Sequence, residues 1–146
     1  MQNEQILDLP RPSTLIPNPY LVVVVLVMGV ILCGEIIANP TSFFAWLNFS
    51  EPILRGMVYN VRWCMFQPGM SPADLELLLR FMELTHNSHR NLAAYYVHHL
   101  PYLFPGQNLS LEGNPQMYFF MRDILRAEEV LNTLRDLADA STGWGG

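Results

Sequence analysis

Residues 20–38, YLVVVVLVMGVILCGEIIA, form a nineteen-residue run with one charged side chain, Glu35. No other feature of the chain limits its fold as strongly. As an α-helix the run would extend roughly 28 Å, close to the thickness of a hydrocarbon core. Its valines are poor helix formers in water, but in lipid a helix is imposed because every backbone N–H and C=O must be satisfied within the segment. The run therefore predicts one transmembrane helix. Arg11 precedes it alongside the acids Glu4 and Asp8, the apolar stretch exceeds a signal-peptide core, and Pro40 closely follows the small residues at its end, so it reads as a retained anchor.

The flanks are organised around proline. Residues 1–19 hold Pro10, Pro12, Pro17 and Pro19 and predict an extended Pro-rich tail. Asn39-Pro40 stops the span. Residues 39–49 follow as an aromatic segment in which Phe43, Phe44 and Trp46 suit a membrane interface, where rings straddle headgroups.

Residues 50–140 predict a small helical extramembrane domain of about three amphipathic helices. Ser50-Glu51-Pro52 has the form of a helix start, and Ile53, Leu54, Met57, Val58, Val61, Cys64 and Met65 follow with helical spacing. Gln67-Pro68-Gly69-Met70 is a turn. Ser71-Pro72-Ala73-Asp74 caps a second helix, which either pauses near His86-Asn87-Ser88-His89 or continues to Leu100 before Pro101. A third helix begins near Pro115. Met117, Phe120, Ile124, Ala127, Leu131, Leu134 and Ala138 recur at alternating steps of three and four, a narrow seam for a partner helix. Residues 141–146 form a flexible tail whose one anchor is Trp144. The fold class is thus all-α with a single span.

Composition excludes some functions. The net charge is −5, and all eight positive side chains are arginine, without the basic stripe that nucleic acid requires. The two cysteines, Cys33 and Cys64, read as small hydrophobes and not as a disulfide framework. Serine-nucleophile elbows, P-loops, glycine-rich dinucleotide turns and haem-attachment motifs are missing from the sequence, so no catalytic residue is assigned and the chain is not expected to be an enzyme.

Three sets of residues remain as candidates. His86, His89, His98 and His99 fall within fourteen positions and could approach a chlorophyll or haem; no metal site is assigned. Glu35, flanked by Gly29 and Gly34, could make a polar contact with a neighbouring subunit where the glycines admit a second helix. Phe43, Phe44 and Trp46, with Met117, Phe120, Ile124, Leu131 and Leu134 of the seam, are the expected partner and lipid contacts. Asn48-Phe49-Ser50 and Asn108-Leu109-Ser110 are glycosylation sequons.

In plan the chain is similar to single-span accessory subunits of respiratory and photosynthetic complexes. That similarity implies a structural or assembly subunit in an organellar inner, thylakoid or bacterial inner membrane, contacting other subunits of the complex and the lipid bilayer. Two alternatives are a viral or cell-surface single-pass protein, which would use the sequons, and a pigment- or metal-binding membrane protein, which would use the histidines.

Overall fold

The computed structural model describes residues 19–145, with side chains from 20 to 140. The Pro-rich tail before Pro19 and the Trp144 anchor lie outside the described residues or side chains. Every regular element among the described residues is helical: α1 (Pro19–Ile31), α2 (Cys33–Ala38), α3 (Pro40–Met65), α4 (Pro72–Leu103), a 3-10 turn (Pro105–Gln107) and α5 (Pro115–Gly145).

Three of these starts follow one local rule, a polar cap followed by proline at the first helical position. Asn39 accepts a hydrogen bond from the Thr41 amide at 3.0 Å and opens α3 at Pro40. Ser71 accepts from the Asp74 amide at 3.0 Å and opens α4 at Pro72. Asn114 accepts from the Met117 amide at 3.1 Å and opens α5 at Pro115. The α3–α4 connection turns at Gly69, whose φ of +92° is a left-handed conformation that glycine adopts without steric penalty.

The expected membrane span is not present. No helix among the described residues is long and apolar enough to cross a membrane. The run of residues 20–38 is divided at Leu32 into a helix of 13 residues and one of 6. At 1.5 Å per residue the longer piece covers only about 20 Å. One side of each piece is spent on protein: Val22 and Val25 of the longer and Ile36 of the shorter are fully buried against the helices that follow. Two distant donors reach the backbone of the longer piece, Trp46 Nε1–H to the Val25 carbonyl at 2.9 Å and the Tyr96 hydroxyl to the Gly29 carbonyl at 2.6 Å. The single-pass anchor and the integral-membrane location that depended on it are therefore withdrawn. The all-helical class stands.

Contacts along the chain give the arrangement. Val22 groups with Leu54 while Ile36 groups with Phe43, Phe43 meets Tyr96 while Ser50 meets His89, and Glu76 meets Arg135 while Arg90 meets Glu128, so each successive long helix reverses direction. α1–α2, α3, α4 and α5 form an up-and-down bundle with short connections, the arrangement expected when neighbouring helices are joined by brief loops. α3 starts at Pro40, upstream of Ser50, and α4 continues unbroken through the histidine pair and past Pro101. Phe43, Trp46 and Leu47 lie on the buried face of α3, while Phe44 is half-buried.

The core has two parts. One gathers Val22, Val25, Leu54, Met57, Val61, Leu79, Met82, Leu131 and Leu134. The other gathers Ile36, Phe43, Trp46, Leu47, Tyr96, Leu100, Met117 and Ile124. Burying side chains of this size contributes about 1.5–3 kcal/mol each. Between the two parts lies a polar waist of Ser50, Glu51, Thr85, His86 and His89, all buried.

Candidate functional site

The polar waist is the first place to look for chemistry. Ser50 lies on the inner face of α3, one turn from Trp46 and Leu47, and its Oγ is 2.8 Å from His89 Nε2 across the α3–α4 interface. His86, three residues before His89 on α4, donates from Nε2 to the Ile124 carbonyl of α5 at 3.1 Å. Trp46 packs its ring on His89, with centroids 5.3 Å apart. Burial, and then the neighbouring His86, hold the His89 imidazole neutral, with its pKa pushed down to about 3. Burial also holds His86 below its ordinary value, partly offset by Glu128. Glu51 is buried on the same turn of α3; burial pushes its carboxyl up, against the pull of Arg55.

A serine hydrogen-bonded to a histidine is the first half of a nucleophilic triad. Here Ser50 is 0% exposed and His89 1%, so a substrate has no approach to either. No carboxylate orients the imidazole, since His89 Nδ1 is buried without a hydrogen-bond partner. The pair ties α3 to α4 in place of an apolar contact. Sequence reasoning assigned Ser50 to a helix cap. The available signal was its position on the apolar face of a helix that begins ten residues earlier, because a hydroxyl there has to find a partner.

The four histidines do not converge. His86 and His89 are inside the bundle. His98 and His99 lie further along α4, packed on one another at 5.0 Å and on Tyr102 and Tyr95, outside the polar waist. Among the described residues no group of three or more His, Cys, Asp or Glu side chains is placed to hold a metal ion. Cys33 and Cys64 are both free and half-buried.

A second polar feature is an open groove of about 690 Å³ between α4 and α5, lined by Glu76, Arg80, Glu83, Leu84, Arg135 and Asp139. Arg135 spans it, with nitrogens 2.6 Å from Glu76, 2.7 Å from Glu83 and 3.3 Å from Asp139. The Glu76 carboxyl is held below its usual range by Arg135. Its charges satisfy one another, as a helix-to-helix clamp requires. Arg90 and Glu128 make a further α4–α5 ion pair beside His86.

Of the expected contact residues, Met117, Ile124, Leu131 and Leu134 are buried and Phe120 is half-buried, so the seam of α5 is used within the chain. Phe120 stacks on Phe44 at 6.5 Å. Gly29 does admit a close neighbour, but the neighbours are Trp46 and Leu92 of the same chain. Gly34 and Glu35 are different. Both are exposed, and a Cβ added at Gly34 would meet nothing within 4 Å. In the sequons, the Ser50 hydroxyl is buried, and Asn108 Nδ2 donates to the Gly113 carbonyl at 3.0 Å.

Among the described residues a run of exposed apolar side chains lies along the outward side of α1. Tyr20 is 79% exposed, Val30 63% and Ile31 72%, and Val23, Val24 and Val27 are exposed beside them. A bundle helix facing water ordinarily carries polar residues there. This one carries none between Tyr20 and Ile31. Contiguous apolar surface of this kind is uncommon on a helix that faces water.

Comparison with protein families, with curated proteins and with solved structures gives no significant match for this chain.

Proposed function

We propose that this chain is a non-catalytic helical assembly subunit that works by covering the outward side of α1 with another polypeptide surface. The observation that supports this reading most is the composition of that side, aliphatic over its whole length while the opposite side is already packed. The Ser50–His89 pair is enclosed between helices, and the carboxylates of the α4–α5 groove are engaged by Arg135, so both polar features serve to hold the bundle together. The role is the one expected from the sequence, exercised through helix contact in place of an anchor. A respiratory or photosynthetic host complex followed from similarity to a single-span plan, and no helix among the described residues is long and apolar enough to be that span.

The test is the full chain produced in its own cell, compared with a Val24→Glu/Ile31→Glu variant. The reading expects the parent in a stoichiometric assembly on native gels. It expects the variant to keep the parent's circular dichroism while running as a folded monomer. A parent that is monomeric in the extract, or a variant that assembles like the parent, overturns it.

A further inference from the structure

The exposed positions of α1 and the start of α2 have a seven-residue repeat, and the amides of Leu32 and Ile36 keep the i→i−4 bonds across the division. Tyr20, Val27 and Gly34 are one heptad apart, and Val23 and Val30 hold the intervening position, with Val24 and Ile31 flanking them. Val22, Val25 and Gly29, which face the bundle, occupy the other side. A seven-residue apolar repeat is the pattern that keeps two helices in contact along a seam. α1 thus carries one seam inward and a second outward.

We infer that the outward seam is the interface of a homodimer in which α1 packs antiparallel against α1 of a second copy, with the twofold axis at Val27. This deepens the assembly-subunit reading and rests on it. Three observations select this occupant. Pairing about Val27 sets Tyr20 against Gly34, Val23 against Ile31, Val24 against Val30 and Val27 against itself. The largest exposed ring then falls on the position that has no side chain and nothing within 4 Å of an added Cβ. Every pairing off the axis is made twice and the one at Val27 once, as a twofold interface requires. A parallel pairing would instead oppose ring to ring and leave a gap where Gly34 meets Gly34.

Charge makes the same choice. Among the described residues of α1 and α2, Glu35 is the one charged residue. Antiparallel packing separates the two copies of it by roughly 24 Å along the axis, whereas parallel packing would bring like charges together. The extent is also suitable. Exposed apolar side chains recur from Tyr20 to Ile31, along nearly the whole of α1.

The experiment is sedimentation of the full-length chain over a range of concentrations, with three variants beside it. The inference expects a dimer for the parent. It expects Val27→Glu, which opposes two carboxylates on the axis, to raise the dimer dissociation constant about 100-fold or more while helix content is kept. In a Cys33→Ser/Cys64→Ser background, Val27→Cys should cross-link to a covalent dimer on mild oxidation and Val23→Cys should not, because only position 27 meets itself. A parent dimer that survives Val27→Glu, or equal cross-linking at 23 and 27, overturns the inference. A monomeric parent overturns it as well. If that monomer instead holds a different polypeptide that Val27→Glu releases, the assembly-subunit reading survives the loss. A monomer whose outward face binds phospholipid vesicles through Val27 removes both.

Discussion

Gly29 is the residue at which α1 comes closest to its neighbours. A Cβ there would lie 2.5 Å from Trp46 Cζ2 and 2.6 Å from Leu92 Cδ2. Gly29→Ala gains up to about 1 kcal/mol of helix propensity, but the added carbon has to displace an indole ring that is itself hydrogen-bonded to Val25. Overpacking of this kind costs about 1–3 kcal/mol, so the variant should melt several degrees below the parent. A Tm equal to or above the parent's would contradict the close packing. The waist histidines give the second residue-scale expectation. The folded His89 imidazole titrates near 3 and His86 below its ordinary 6.5, so from pH 6.5 downward the unfolded chain takes up protons that the folded chain refuses. Stability therefore falls as pH drops below 6.5, by at most ~1.4 kcal/mol per pH unit for each site. Glu51 acts in the opposite sense. Its folded pKa lies above 4.5, so the folded chain gains a proton first and recovers some stability as pH falls toward that value. The expected thermal profile is level from pH 8 to 7 and declines from 6.5 to 5. His89→Gln, which can still hydrogen-bond to Ser50 but cannot ionise, should flatten the decline. A profile of unchanged slope in that variant would show that His89 is not what titrates.

At the level of elements, α5 and α1 differ in how well their sequences report their surroundings. The three-four alternation of α5 predicts one buried stripe, and Leu131 is indeed 3% exposed among Leu79, Met82 and Leu134. Leu131→Asp puts a charge into that seam without a cation to meet it, since Arg135 is already engaged by Glu76 and Glu83. Lost packing plus a buried carboxylate should cost at least ~3–5 kcal/mol, a large fraction of the stability of a domain this size. The measurement is urea unfolding followed by circular dichroism; a midpoint within error of the parent's would refute the packing of α5. By contrast, α1 is apolar all round, and periodicity cannot separate a helix surrounded by lipid from one packed along one side against its own bundle. The distinguishing information is non-local. The donors that reach its carbonyls, Trp46 and Tyr96, lie 21 and 67 residues along the chain from their acceptors. The same limit explains α3. Ser50-Glu51-Pro52 has the local form of a helix start, but Asn39-Pro40 provides an earlier one, and a helix already propagating adds residues without a second nucleation. Pro52 is then carried inside it on an exposed position, where the Asn48 carbonyl it fails to serve can be met by water.

For the molecule as a whole, the question is whether two hydrophobic clusters separated by a polar waist behave as one unit or two. Such a separation would favour independent opening if each cluster were built from its own helices. They are not. α3 places Phe43, Trp46 and Leu47 in one cluster and Leu54, Met57 and Val61 in the other, and α4 does the same with Leu79 and Met82 on one side and Tyr96 and Leu100 on the other. α5 likewise contributes Met117 and Ile124 to one and Leu131 and Leu134 to the other. Opening either cluster alone would require breaking three continuous helices at the waist. There Ser50–His89 and His86–Ile124 join them laterally, so polar groups would also be left unpaired in a half-open core. The clusters should therefore unfold together. Single tryptophans at position 46 in one cluster and at Leu79→Trp in the other, each with the remaining tryptophans replaced by phenylalanine, should give urea midpoints that coincide with far-ultraviolet circular dichroism. Hydrogen exchange should assign α4 amides on the two sides of residues 85–89 the same opening free energy. Separate midpoints, or protection that steps down across the waist, would mean that the polar layer is a boundary between two folding units and that α1, which touches both, is what holds them in register.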